Sequence, residues 1–283
     1  QFNFIVAQQN PVQQKAIIVK RMIELNHLTP RPVDDAFSET MFKAILNKAD
    51  GRRLLFTEAE YKLLLAYQHK QDDELNGKEW AFLNLFSPLY KNAINRADSI
   101  VNKITAKPFD FTIKETVSRS DRNSFLFAAD VPALTARWLR YLKYSTLDDL
   151  YDVVAADSTG KTSLKTVITS SEATIRERLK SGEIKNLKRI TNHHSGIDQY
   201  ITDLYLNALT ESFDPHTNYF SPEGKQQFEE SLSTEELSFG LEFTENENGK
   251  VIIDRLTPGG PAWKSGDLNK GDILLTMVWE GKE

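Results

Sequence analysis

The sequence predicts a mainly α N-terminal domain, bundle-like, followed by a partial β-rich domain, and three observations carry that prediction. Glycine is unevenly placed: of 13 glycines, Gly240, Gly249, Gly259, Gly260, Gly266, Gly271 and Gly281 all fall in the tail. Glycine marks turns and left-handed backbone, so the tail must turn often while the preceding chain can run in long helices. A helical stripe then stands out at Ile197, Tyr200, Ile201, Leu204, Tyr205, Ala208, Leu209 and Phe213. One amphipathic helix cannot bury its face alone, so it needs other helices to pack on. Finally, Leu241 and Phe243 alternate with polar neighbours, and Val251-Ile252-Ile253 is short and β-branched, as strands are. The break falls near residue 236, giving a helical domain with its linker over 1–235 and a β-rich domain over 236–283.

Taken in order, Val33, Ala36, Phe37, Met41, Ala44 and Ile45 form the first clear helical stripe, stopped by Asp50-Gly51. Thr57 and Glu60 have capping-box spacing ahead of a helix over Tyr61–Tyr67. A long helical pattern covers Glu79–Thr105, with Pro88 inside it as an expected kink or break. Pro108-Phe109-Asp110-Phe111 reads as extended. Weak periodicity over 112–130 and 153–168 reads as loop. Between them Ala133–Asp149 is helical, with Trp138, Leu139 and Leu142 inward. Thr169 and Glu172 have the spacing of a second capping box, ahead of Ala173–Lys180. In the tail, Asn246–Gly249 is a turn. Thr257–Ala262 is a loop from which Pro261 opens a short helix over Ala262–Ser265, ended by Gly266. Asn269–Asp272 turns into a third strand, Ile273–Trp279.

The 283 residues suffice for one or two domains with a sizeable core. An apolar fraction of 40% with 27% charged residues is that of a globular protein. The net charge of -5 argues against a nucleic-acid footprint. No stretch reaches the roughly 20 apolar residues of a membrane-spanning helix. With no cysteine, disulfides, thiolate metal sites and thiol catalysis are all excluded. Gln1–Asn10 lacks the basic start and apolar run of a signal peptide, so either none exists or the mature chain begins there. Over 223–247, Glu223, Glu229, Glu230, Glu235, Glu236, Glu242, Glu245 and Glu247 face a single Lys225, a pattern of solvated linker that could also repel acidic tails.

The turn Asp214-Pro215-His216-Thr217-Asn218-Tyr219-Phe220-Ser221-Pro222-Glu223 follows the long helix. Pro215 ends that helix at Asp214, and Ser221-Pro222 reads as the cap of a short helix over Glu223–Glu230. Asp214 and His216 tempt a catalytic or metal reading. Side chains beside a proline more often bond the turn's own backbone, and no third ligand is placed. His193 and His194 are neighbours on a helical segment, where side chains point about 100° apart and cannot pair. No metal and no organic cofactor is expected.

The order of strand, turn, strand, "GGPAWKSG" and "KGDILL" resembles a PDZ domain of the bacterial protease type. In such domains a Gly-apolar-Gly-apolar loop offers backbone N–H groups to the C-terminal carboxylate of a peptide. The peptide then adds as a strand beside the one after the loop. Ser238-Phe239-Gly240-Leu241 occupies the loop's position, with Ser238 in place of the first glycine. The resemblance therefore implies a site for peptide C-termini at Ser238, Phe239, Gly240, Leu241, Glu242 and Phe243.

"DPHTNYFSPE" immediately before such a domain resembles the bacterial C-terminal-processing, or tail-specific, proteases. "DDAFSETMFKAILNKAD" (34–50), "LLFTEAE" (54–60), "KPFDF" (107–111) and "ITNHHSGIDQYITDLYLNALTESFDPHTNYFSP" agree with the longer members, in which a helical domain precedes the PDZ domain. The resemblance covers most of the chain and is weakest over 117–168. It implies a periplasmic serine endopeptidase that recognises apolar C-terminal tails of proteins and cuts with a serine activated by a lysine base. In the family that dyad lies well after the PDZ domain, so no catalytic residue carries over to this chain, which is expected to cover only the domain's first part and to be inactive. The partners so implied are the C-terminal tails of substrate proteins, with an adaptor protein as a further candidate. A competing reading is a peptide-binding scaffold with a PDZ-like module and no protease activity; another is an unrelated helical structural protein.

Overall fold

Most helices of the N-terminal part start where a side chain accepts from one of their first free N–H groups. The computed structural model describes residues 10–113, 115–116, 126–156, 160, 162–221, 224–225, 228–229, 239–246 and 250–278. Helix α1 (Pro11–Asn26) is capped by Asn10, whose Oδ1 accepts from the Val12 N–H at 2.8 Å. Helix α2 (Asp35–Asp50) is capped by Asp34 and α3 (Glu58–Leu65) by the Thr57–Glu60 capping box expected from the spacing. The short α4 (Gln71–Leu75) leads to α5 (Phe82–Thr105), α6 (Val131–Ala155), α7 (Leu164–Thr191) and α8 (Ile197–Phe213). Asp130 and Ser163 cap α6 and α7.

The core lies where α2, α5 and α8 meet. Phe37 of α2 packs on Phe213 of α8 with ring centroids 4.6 Å apart. Phe42, Phe82, Phe86, Tyr90 and Phe56 form a continuous aromatic row through the bundle. The stripe read on α8 is the one buried: Ile201, Leu204, Tyr205, Ala208, Leu209 and Phe213 are all inside. The larger apolar members contribute roughly 1.5–3 kcal/mol each by leaving water. The "ADGRRLLF" turn after α2 is held from within. Asp50, buried, accepts from the N–H groups of Leu54, Leu55 and Phe56 at 2.7, 3.1 and 2.9 Å. Those donors satisfy a carboxylate that burial alone would neutralise. Trp138 of α6 closes the same turn, donating from Nε1 to the Leu54 carbonyl at 2.7 Å.

Several expectations need correction. Helix α5 runs through Pro88 as a single 24-residue helix. Pro88 sits on the exposed side, and the packed row Phe82, Phe86, Tyr90 on the other side outweighs one lost hydrogen bond. Helix α6 extends to Ala155 and α7 begins at Leu164, so part of 153–168 is helical. The weak periodicity there reflects a two-helix hairpin with a small satellite core of Leu150, Val167 and Ile175. Thr169 and Glu172 lie inside α7, where Thr169 Oγ1 donates back to the Lys165 carbonyl. Buried Glu172 instead pairs with Arg176 at 2.7 Å and accepts from the Phe109 N–H at 3.1 Å. Leu139 is exposed, unlike Trp138 and Leu142. His193 and His194 follow α7 in a turn rather than sitting on a helix, and their rings lie 4.3 Å apart.

The β module is small. Strand β1 (Leu241–Glu245) pairs antiparallel with β2 (Val251–Leu256), followed by helix α9 (Pro261–Ser265), which Gly266 ends at φ 73°. The expected strand over Ile273–Trp279 reduces to one bridge, Ile252 to Ile273, and Trp279 lies outside the described residues.

Candidate functional site

The expected peptide site begins where the chain enters the β module. Ser238 lies outside the described residues. Phe239 and Gly240 form the entry, and both of their carbonyls are tied down. The Phe239 carbonyl accepts from the Ala262 N–H at 2.9 Å, and the Gly240 carbonyl accepts from the Thr257 N–H at 2.8 Å. The entry is thereby fastened to the loop ahead of α9 and to α9's first turn. Gly240 has φ 72°, a conformation that L side chains rarely adopt. A Cβ there would also lie 3.3 Å from Gly260 Cα and 3.4 Å from Thr257 Cβ. The left-handed backbone therefore favours glycine at 240, and a side chain there would press on Gly260.

Register explains the rest. Leu241 pairs with Leu256 and Glu242 with Arg255, but Phe243 pairs with Ile253, so Asp254 is an extra residue that bulges β2. Glu242 and Arg255 also form an exposed ion pair. Ile253 is buried, whereas Leu241 is half-buried and Phe239 and Phe243 are 65% and 40% exposed. The inward alternation expected of Leu241 and Phe243 is thus only half realised.

The other edge of β2 is occupied by the Gly271–Leu274 segment. The Gly271 N–H donates to the Ile253 carbonyl at 2.8 Å, the Ile253 N–H to the Asp272 carbonyl at 2.9 Å, and the Leu274 N–H to the Val251 carbonyl at 2.9 Å. Strand β2 is therefore central. Strand β1 is an edge, with no strand beside its outer side among the described residues. An edge strand flanked by exposed Phe239 and Phe243 is a template for an added strand. Thr257 and Gly260, which shape the entry, were read in the sequence only as loop. The "PGGP" run signalled them, but nothing local showed that it packs on Gly240.

The turn after α8 behaves as its composition suggests. The His216 N–H donates to Asp214 Oδ1 at 2.7 Å and the Thr217 N–H to the Asp214 carbonyl at 3.0 Å. Tyr219 is fastened back to α8, its N–H donating to Asn207 Oδ1 at 3.2 Å. The Gly224 N–H donates to Ser221 Oγ at 3.1 Å, as a cap requires, while Pro222 and Glu223 lie outside the described residues. Among the described residues no group of three His, Asp or Glu side chains converges to hold a metal ion. Among the described serines, Ser38 bonds Asp72, while Ser99 and Ser212 bond carbonyls of their own helices. No helix among the described residues is long and apolar enough to cross a membrane.

Comparison with known proteins places the helical part in a family. The family described as tail specific protease N-terminal domain matches residues 18–223, from within α1 through the turn after α8. A tail-specific protease of Haemophilus influenzae is 25% identical over 252 residues, 88% of this chain and 33% of the relative. The chain thus spans about a third of the length of that curated relative.

Proposed function

This chain belongs to the tail-specific protease family, and on that premise we propose that it is the non-catalytic N-terminal region of a periplasmic serine endopeptidase that selects proteins by their apolar C-termini. In this reading the β module is the start of a PDZ domain. Residues 238–243 receive the tail, and a Ser/Lys dyad elsewhere in the whole protease cuts the substrate. The observation that carries the reading is the tied-down entry at Phe239–Gly240 leading into the edge strand β1.

The chemistry follows from the backbone. A C-terminal carboxylate needs several N–H donors at hydrogen-bond distance, and a left-handed glycine between two anchored carbonyls turns successive N–H groups toward one side. A short peptide then extends along β1 by main-chain hydrogen bonds, its apolar side chains resting on exposed Phe239 and Phe243. The helical domain carries this module and contributes no group to bond cleavage.

Amide-resolved NMR tests the reading. On titration with a peptide ending in three apolar residues, the N–H resonances of Phe239 to Phe243 should move most, and those of α2, α5 and α8 should not. Shifts confined to the helical domain would refute the site. The chain alone should also fail to cleave an unfolded protein with an apolar C-terminus. Specific cleavage that survives purification controls would place the chemistry in this region instead.

A further inference from the structure

A tail bound at the entry must continue somewhere, and the geometry fixes its direction. With its carboxylate at Phe239–Leu241 and its backbone along the outer edge of β1, a peptide runs antiparallel to that strand. It advances about 3.4 Å per residue, so the fourth or so residue upstream of the terminus reaches Glu245.

At that point the strand ends and a cleft of about 1150 Å³ opens against α6 and α7. The sheet's contribution to its wall is Glu245 and Asn246, the end of β1, with no residue of β2. The cleft therefore meets the β module where β1 ends. Its volume exceeds the roughly 300–1,000 Å³ typical of a small-molecule pocket, and it is open, as a through-running chain requires.

Its charge is one-sided. Asp149, Asp152, Glu177 and Glu245 line it against Arg178 and Lys185, four carboxylates to two cations. Both cations are already engaged, Arg178 with Asp149 at 2.9 Å and Lys185 with Glu245. Glu177 holds the half-buried Lys180 at 3.2 Å, which leaves Asp152 as the local excess; Asp152 and Glu177 are both exposed.

We propose that this cleft is an extended subsite for the segment of the substrate tail about five to nine residues upstream of its C-terminus, and that it selects basic side chains there. The inference rests on the reading of residues 238–243 as the carboxylate site. It adds a substrate class to that reading: tails with an apolar end preceded by a lysine- or arginine-bearing stretch.

Fluorescence anisotropy on this chain tests it with three labelled 14-residue peptides. All end in the same four apolar residues, and positions five to nine upstream carry three Lys, three Ser or three Glu. Each is made as the free acid and as the C-terminal amide. The free acids should bind in the order Lys, Ser, Glu, the extremes differing about 3–10-fold, with the spread shrinking in 0.5 M salt. The double variant Asp152→Lys with Glu177→Lys should abolish or reverse that order while keeping the preference for acid over amide. Both positions are exposed, and an unchanged circular dichroism spectrum verifies the fold. Equal affinity for the three free acids, with the acid preference kept, overturns the subsite and leaves the carboxylate site standing. An order that survives in the double variant also overturns the subsite, because the selectivity then arises elsewhere. Equal binding of acids and amides overturns the carboxylate site and the subsite with it.

Discussion

Glu74 shows how much one buried carboxyl can set the pH response of this fold. It is 2% exposed, and its Oε1 accepts from the Ala81 and Phe82 N–H groups at 3.1 and 2.8 Å, serving the start of α5. Its Oε2 has no partner among the described residues. Burial pushes this carboxyl above the usual range, aided by the charge of Glu79, while the two N–H groups and Lys70 pull it back. A group whose pKa is raised by folding stabilises fully below its unfolded value, near 4.3, and loses that contribution as pH rises through the folded value. Glu74→Gln cannot ionise. Between about pH 4 and 7.5 the variant should therefore gain stability relative to the wild type, read as a variant-minus-wild-type urea midpoint that rises with pH. A signed difference that is flat or falls with pH would contradict this account of Glu74. Asp50, also raised by burial, is common to both proteins and cancels. Neither residue was legible in the sequence, because each satisfies backbone groups whose convergence exists only after folding. Gly240 was partly legible: its type was recognised, but its contact with Gly260 was not.

At the scale of elements, local chemistry decided what could be read in advance. The boundaries of α8 and the capping box of α3 were legible because caps and stripes act within a few residues. The same spacing misled at Thr169 and Glu172, where a buried ion pair with Arg176 mimics a capping box inside α7. The two sites should respond differently to truncation. At position 57, Thr57→Ala removes a cap whose hydroxyl accepts from the Glu60 N–H and should cost about 1 kcal/mol. At position 169, Thr169→Ala removes only an exposed hydroxyl bonded within its helix and should change stability by less than about 0.5 kcal/mol. Chemical denaturation of both variants distinguishes them. A Thr169→Ala loss as large as that at Thr57 would restore a capping role. The third strand is realised only at its start, where Ile273 bridges Ile252. The pattern from Ile273 onward is that of a strand, yet Leu275, Met277 and Val278 are 89%, 55% and 63% exposed, and periodicity alone supplies no pairing partner.

Across the whole molecule, the core and the proposed site are separate structures. The main apolar cluster draws its fully buried members from Ala16 to Phe213, while the buried Ile253 and Ala262 of the β module belong to neither apolar cluster. An exposed ion pair, Lys185 with Glu245, links α7 to the end of β1, and such pairs contribute about 0–1 kcal/mol. A chain ending at residue 230 should therefore keep its helical unfolding temperature within about 4 °C of the longer chain. A collapse of helicity in that shorter chain would show that the β module supports the bundle. The family membership carried by the helices and the proposed selection of tails by the β module can therefore be tested apart. The most direct measurement is calorimetric titration of an apolar-ended peptide, as free acid and as amide, into the wild type and into Gly240→Val. The account predicts that the wild type binds the acid and prefers it to the amide by about 1–3 kcal/mol, the scale of charge-assisted hydrogen bonds, and that the variant loses this preference with its helical signal unchanged. Equal binding of acid and amide by the wild type, or an undiminished acid preference in Gly240→Val, would contradict it.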